Sequence, residues 1–102
     1  MIARVHAPLC VVSLTYDAPL AAIDGAMADH VAWLERGYAE GLFVASGRKV
    51  PRTGGVILVR GAPVEVEALV ASDPFVARGL ARAEVTAFTA SMAAPALAEW
   101  LA

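Results

Sequence analysis

The chain has 102 residues, of which 59% are hydrophobic, and its 8 Lys and Arg against 10 Asp and Glu leave a formal net charge of −2. The length predicts one domain over residues 1–102, the apolar content excludes a disordered chain, and the charge balance excludes a basic surface for nucleic acid. A single cysteine excludes an intrachain disulfide and a cysteine-rich metal site. We expect a cytoplasmic protein without membrane attachment, because no run of about 20 apolar residues is present.

The first half of the chain predicts a strand and a long helix. An apolar, β-branched run predicts a strand at Leu9–Tyr16, and Pro8 marks its start or a bulge. Pro19 suits the first position of a helix and Gly41 its C-terminal end, so a helix is expected at Leu20–Glu40. Apolar side chains spaced by three and four residues predict the buried stripe of this helix. The stripe consists of Leu20, Ile23, Met27, Val31, Leu34 and Tyr38.

The second half predicts three more strands and shorter helical segments. In chain order these are strands Leu42–Val50 and Val56–Arg60, a helix Val64–Ala71, a helical turn through Gly79 and a strand Arg82–Ala90. Ser72 or Asp73 is placed to cap the helical turn. The apolar segment 95–102 is a candidate C-terminal extension, in which Pro95–Leu101 could form a short helix that reaches across to a second subunit.

The order β-α-β-β-α-β predicts an α+β fold of the ferredoxin-like type, with a four-stranded antiparallel sheet and both helices on one face. The predicted strands are apolar on both faces, whereas the helices can cover only one. We therefore expect a homodimer in which a second copy covers the other face, sheet to sheet.

Two residues that can transfer protons, a histidine and an aspartate, have positions that allow either a structural or a functional role. His30 lies at the flank of the predicted stripe, where a histidine either bonds a backbone carbonyl at the rim of the core or titrates in a cleft. Asp73 precedes Pro74, where it either caps a helix or belongs to a site. Their spacing in the sequence does not by itself place them together.

A few other residues are candidates for ligand contacts. Gly47 lies within a predicted strand, which indicates a bulge or a close backbone approach. Ser46 and Arg48 flank it, and Arg48 with its basic neighbour either attracts an anionic ligand or is solvated at the strand end. Trp33 follows His30 by three residues and either walls the same cleft or faces a partner. Cys10 is interpreted as inert core, since it lies mid-strand among apolar residues.

Taken along the whole chain, these positions resemble the YciI-like (YCII-related) family. The residues that carry the resemblance are His30-x-x-Trp33-Leu34, Gly41-Leu42, Ser46-Gly47, Gly54-Gly55, Asp73-Pro74-Phe75, Gly79-Leu80, Val85 and Phe88. The resemblance implies a ferredoxin-like subunit of a dimeric α+β barrel, a catalytic pair formed by His30 and Asp73 in a cleft, and no metal or organic cofactor. One branch of the family is similar to a dehydrochlorinase that acts on a chlorinated hydroxyquinol. In this chain Met27 stands where many relatives carry Arg, and Arg48 where a proline is common.

These observations lead to a functional hypothesis with two alternatives. The hypothesis is a small cofactor-free enzyme, a lyase or isomerase, in which His30 and Asp73 transfer a proton on a cyclic, aromatic or enolic acid at a cavity beside the open sheet face. Trp33, Ser46, Gly47 and Arg48 are the expected substrate contacts, and the ligand is expected to be anionic. The alternatives are a non-catalytic dimeric domain that binds a small metabolite and a cofactor-free monooxygenase.

Overall fold

The predicted order of strands and helices is present in the computed structural model, which describes residues 1–102. The elements are β1 Ala3–Tyr16, α1 Leu20–Ala39, β2 Phe43–Arg48, β3 Gly54–Arg60, α2 Pro63–Val70, α3 Pro74–Ala77, β4 Ala81–Ala93 and α4 Pro95–Leu101. The strands form one antiparallel sheet in the order β2-β3-β1-β4. The predicted ferredoxin-like α+β fold is thereby confirmed. No helix combines the length and the hydropathy that crossing a membrane would require.

Two strands of the sheet, β1 and β4, extend beyond their predicted ends. β1 begins at Ala3 rather than Leu9, and β4 continues to Ala93 rather than Ala90, because the two segments pair with each other along their whole length. Pro8 therefore lies inside β1, and the irregularity in register falls between Arg4 and Ala7.

The buried face of α1 is displaced from the predicted stripe. The predicted stripe residues Leu20, Val31 and Tyr38 are exposed. The residues that α1 buries are Ile23, Ala26, His30, Trp33 and Gly37. Small residues bring this face close to the sheet, since a Cβ on Gly37 would collide with the Phe43 ring.

The main core lies between the helices and one face of the sheet. Its members come from β1, α1, β2, β3 and α2, and they are Cys10, Val12, Leu14, Trp33, Phe43, Ile57, Val59, Val66 and Val70. Cys10 is fully buried there, as expected of an inert core residue. Both α1 and α2 thus pack on the same face of the sheet.

The other face of the sheet is only partly covered. α4 packs there against β1 and β4 of its own chain, where Leu101 joins Leu9 and Ala90 in a small apolar cluster. That this segment also reaches across to a second subunit stays a prediction. Phe88, which pairs with Leu9 and shares its face, remains 46% exposed.

Candidate active site

The structure brings His30 and Asp73 into direct contact although they are 43 residues apart. His30 lies on the buried face of α1, and Asp73 is the N-cap residue of α3. Nδ1 of His30 and Oδ1 of Asp73 are 2.8 Å apart. Asp73 is fully buried and His30 is 9% exposed. The same Oδ1 accepts a hydrogen bond from the Phe75 backbone N–H over 3.0 Å, so the aspartate serves as a helix cap and as the imidazole's partner at once.

The imidazole is held in one orientation and one tautomer. A carboxylate oxygen only accepts hydrogen bonds, so Nδ1 of His30 carries the hydrogen and donates it to Asp73. The Phe75 ring stacks on the imidazole with a centroid distance of 4.0 Å and an interplanar angle of 11°. Nδ1 makes the side-chain hydrogen bond of His30, and in a neutral ring of this tautomer Nε2 carries the lone pair. The ring is therefore arranged to accept a proton at Nε2.

A cavity of about 330 Å³ lies in front of the imidazole. Its walls are mostly apolar and come from β1, α1, β2, β3 and α3. They consist of Leu14, Tyr16, Met27, His30, Val31, Leu34, Ser46, Gly47, Arg48, Gly55, Val56, Ile57 and Phe75. Leu14 and Ile57 also belong to the main core, so the cavity opens between α1 and the helix-covered face of the sheet. The expected position at the open sheet face is wrong, because side chains alternate along a strand and these two point toward α1.

The polar groups that β2 contributes to the cavity are Ser46 and Arg48. The Ser46 hydroxyl is hydrogen-bonded to the Tyr38 hydroxyl at 2.7 Å, which fixes its position beside α1. Arg48 and Met27 both line the cavity. A guanidinium at this place can pair with an anionic group of a bound molecule.

Gly47 lines the cavity, but not for the predicted reason. A Cβ added to Gly47 would meet no atom within 4 Å, so neither a close approach nor a bulge requires glycine there. The register of β2 shifts between Phe43 and Ala45 instead. The close approach is at Gly54, where an added Cβ would collide with the backbone carbonyl of Leu14.

Trp33 is not brought to the cavity. Its side chain is 4% exposed and packs on Phe43 in the main core, with ring centroids 5.1 Å apart. Its Nε1 donates a hydrogen bond to the Ser72 hydroxyl over 2.9 Å. The prediction that Trp33 walls the cleft is therefore corrected: the displacement of the buried face of α1 turns this side chain into the core.

Several cavity residues were not identified as site residues from the sequence. Met27, Val31 and Leu34 were assigned to the buried stripe, and all three line the cavity. The same displacement of the buried face accounts for all three, since residues spaced by three and four stay on one side of a helix. Tyr16 and Phe75 complete the wall of the cavity. The sequence offered a signal for Phe75 alone, because it follows Asp73 by two residues.

An ion pair joins α1 to the β2–β3 connection near the cavity. Arg52 donates from its guanidinium to Asp24 over 2.6 Å. This hydrogen bond lowers the pKa of Asp24, and the positive charges of Arg52 and Arg48 lower it further, although partial desolvation opposes them. No group of three or more His, Cys, Asp or Glu side chains is arranged to hold a metal ion.

The sequence profile of the YCII-related domain matches residues 9–89. The chain belongs to this family. The matched range contains His30 and Asp73 and leaves α4 outside it. No curated protein matches the YCII-related chain in sequence.

A solved structure shares the fold of this YCII-related protein. It is the 5-chloro-2-hydroxyhydroquinone dehydrochlorinase TftG from Burkholderia phenoliruptrix AC1100, in complex with 2,5-dihydroxybenzoquinone. The similarity has a TM-score of 0.65 and 24% sequence identity, and it covers 76% of this chain and 90% of that chain. At this identity the similarity supports the fold.

Proposed function

We propose that this protein is a small enzyme, a lyase or isomerase, in which His30 acts as general base on a cyclic, aromatic or enolic acid. The observation that carries the proposal is the 2.8 Å contact between Nδ1 of His30 and the buried carboxylate of Asp73, in a histidine that lines the cavity. A general base must stand within reach of its proton and be oriented by a third group. His30 borders the cavity, and Asp73 orients it.

The reaction proceeds by removal of a proton to Nε2 of His30. The C–H or O–H bond of the substrate breaks, its electron pair moves into a new double bond, and a halide or another leaving group departs with its own electron pair. In an isomerisation the proton returns at a different atom. Asp73 stabilises the imidazolium that forms, because a buried negative charge in contact with Nδ1 favours positive charge on the ring. Positioned bases of this kind contribute about 10²- to 10⁴-fold to rates.

The cavity supports a substrate of about one ring. An apolar cavity of about 150 Å³ accommodates benzene, so a volume of about 330 Å³ accommodates a ring with polar substituents. Phe75, Leu34 and Ile57 provide apolar walls for the ring faces. In this proposal Arg48, which lines the cavity, pairs with a phenolate, enolate or carboxylate, and the Ser46 hydroxyl bonds a substrate oxygen. Gly47 offers backbone contacts beside them. TftG, whose fold is shared, is a dehydrochlorinase of a chlorinated hydroxyhydroquinone, a molecule of this class.

The proposed assembly is a homodimer formed sheet to sheet. Phe88 lies on the face of the sheet that the helices α1 and α2 do not cover, and its side chain is exposed. Burial of such side chains against a second copy favours association. Sedimentation equilibrium at micromolar concentration tests this, and a monomer at every concentration would contradict it.

The test of the proposed reaction uses 5-chloro-2-hydroxyhydroquinone, with chloride release and quinone absorbance as readouts. We expect turnover by the unchanged protein and loss of turnover, with retained folding, in His30→Gln. The matched control is His6→Gln, which removes the chain's other histidine from an exposed position of β1. If a panel of chlorinated and non-chlorinated hydroxyquinols binds to the cavity without any conversion, the enzyme proposal fails and the non-catalytic binding domain is favoured.

A further inference from the structure

A second hydrogen bond runs beside the one between His30 and Asp73. Trp33, one turn further along α1, donates from Nε1 to the hydroxyl of Ser72, the residue that precedes Asp73. Side chains three residues apart on a helix share a face. Positions 30 and 33 of α1 therefore meet positions 73 and 72 of the α2–α3 connection, the two segments running in opposite directions. Together with the packing of Phe75 against Ile23 and Ala26, two such bonds restrict both sliding and rotation of the connection against α1.

Both ends of this second hydrogen bond are anchored. Ser72 has a single hydroxyl hydrogen, which it donates to the backbone carbonyl of Leu69 in the last turn of α2, so its lone pairs are free to accept from the indole. Trp33 is buried and packed on Phe43 in the main core. The bond thus connects the rigid core side of α1 to the C-terminal end of α2.

Asp73 needs such a restraint because its other hydrogen bond is local. The Phe75 N–H orients the carboxylate relative to α3, and that cap bond would persist wherever the connection lay against α1. The remaining carboxylate oxygen, Oδ2, is buried without any partner and adds no restraint. The position of the Asp73 carboxylate, 2.8 Å from Nδ1 of His30, therefore depends on the neighbouring contacts between α1 and the connection.

We propose that Trp33 and Ser72 are positioning residues for the acid–base pair, holding the α2–α3 connection in the register at which Asp73 meets His30. This inference rests on the proposed function of His30 and Asp73. It gives Trp33 a role through Asp73 rather than through contact with substrate. A tryptophan with a purely structural role would need only the packing of its ring in the core. The proposed role of Trp33 depends in addition on its hydrogen bond to Ser72.

The test is Ser72→Ala, observed by NMR of the protein labelled with ¹⁵N at histidine and tryptophan. The chain has two His and two Trp, so His6 and Trp100 serve as internal references. We expect the Trp33 indole signal to shift as its acceptor is lost, and the Nδ1 proton of His30 to exchange with water about 2- to 10-fold faster, the factor that corresponds to one typical hydrogen bond. Ser72→Thr keeps the hydroxyl and should restore both signals. Ser91→Ala, an exposed serine of β4, should change neither.

The outcome that overturns the inference is a shifted Trp33 indole signal in Ser72→Ala while the ring signals and proton exchange of His30 stay unchanged. An indole signal that does not move at all would overturn it as well, since the hydrogen bond would then be absent in solution. Trp33→Phe, which keeps an aromatic ring in the core and removes the N–H donor, provides a second variant with the same expected effect on His30. None of these readouts needs a substrate, so failure of the proposed reaction and failure of the positioning role are distinguishable. With an active substrate, Ser72→Ala should lower kcat several-fold and leave KM unchanged, because the cavity wall is untouched.

Discussion

Replacing Asp73 by asparagine separates its structural role from its proposed catalytic one. The amide oxygen that Asp73→Asn introduces can accept from the Phe75 N–H and from Nδ1 of His30, as Oδ1 of the aspartate does. The negative charge that stabilises an imidazolium is lost. We therefore expect Asp73→Asn to reduce turnover about 10²-fold or more, within the range that a positioned general base contributes, and to change the free energy of unfolding by less than about 1 kcal/mol because the cap remains.

Asp73→Ala is the variant with which the stability of Asp73→Asn is compared. Loss of the cap costs about 1 kcal/mol, and a buried Nδ1 of His30 left without a partner costs about 1–3 kcal/mol. The sum of about 2–4 kcal/mol corresponds to a decrease in Tm of about 8–16 °C for a domain near 100 residues. The two variants should thus be alike in activity and different in stability.

The assay measures turnover of the chlorinated hydroxyquinol and Tm by circular dichroism on the same samples. Asp73→Asn with turnover within threefold of the unchanged protein, at an unchanged Tm, would refute the view that the charge of Asp73 acts on His30. Loss of activity accompanied by an equally large loss of stability in both variants would show instead that Asp73 acts through the fold alone.

Three further predictions concern packing, thiol reactivity and ligand charge. Gly37→Ala on α1 should lower stability by about 1–3 kcal/mol through overpacking, because its Cβ would collide with the Phe43 ring. Gly25→Ala on the same helix faces open space and should raise stability by about 0.5–1 kcal/mol. Urea titration of both variants measures these changes. Burial raises the pKa of the Cys10 thiol, so its reaction with a disulfide reagent at pH 8 should be slow in the native protein and fast in urea. Arg48→Ala should weaken binding of an anionic hydroxyquinone about 10-fold or more, measured by titration calorimetry, and Arg4→Ala, an exposed arginine far along β1, should leave it unchanged.

The order of the elements was predictable because each boundary has a local cause. Proline and glycine occur where helices begin and end, as Pro19 and Gly41 do at the two ends of α1. Gly41 has a φ of 73°, which favours glycine. The ends of β1 and β4 were not predictable in the same way. Ala3 and Ala93 are strand residues because they pair with each other across 90 residues of sequence, and no local pattern encodes such a pairing.

The candidate site was predictable only in part, since its geometry depends on which face of α1 is buried. The periodicity of large apolar side chains gives a stripe through Met27 and Val31, which instead borders the cavity. Gly37 contributes nothing to that periodicity, yet its lack of a side chain lets α1 approach β2 and turns Trp33 into the core. The contact of His30 with Asp73 joins two helices distant in sequence, and the family resemblance predicted it where spacing could not.

The identity of the capping residue of α3 argues for a role beyond structure. Serine, threonine or asparagine would cap this helix as well as aspartate does and would bury no charge. Asp73 instead buries a carboxylate completely, leaves Oδ2 without a hydrogen bond and pairs Oδ1 with an imidazole. A buried ion pair usually contributes no more to stability than uncharged side chains of similar size would. A buried polar atom without a hydrogen-bond partner lowers stability further. A charge that does not improve the fold at this position is what the proposed action of Asp73 on His30 requires, and His30 lines the cavity.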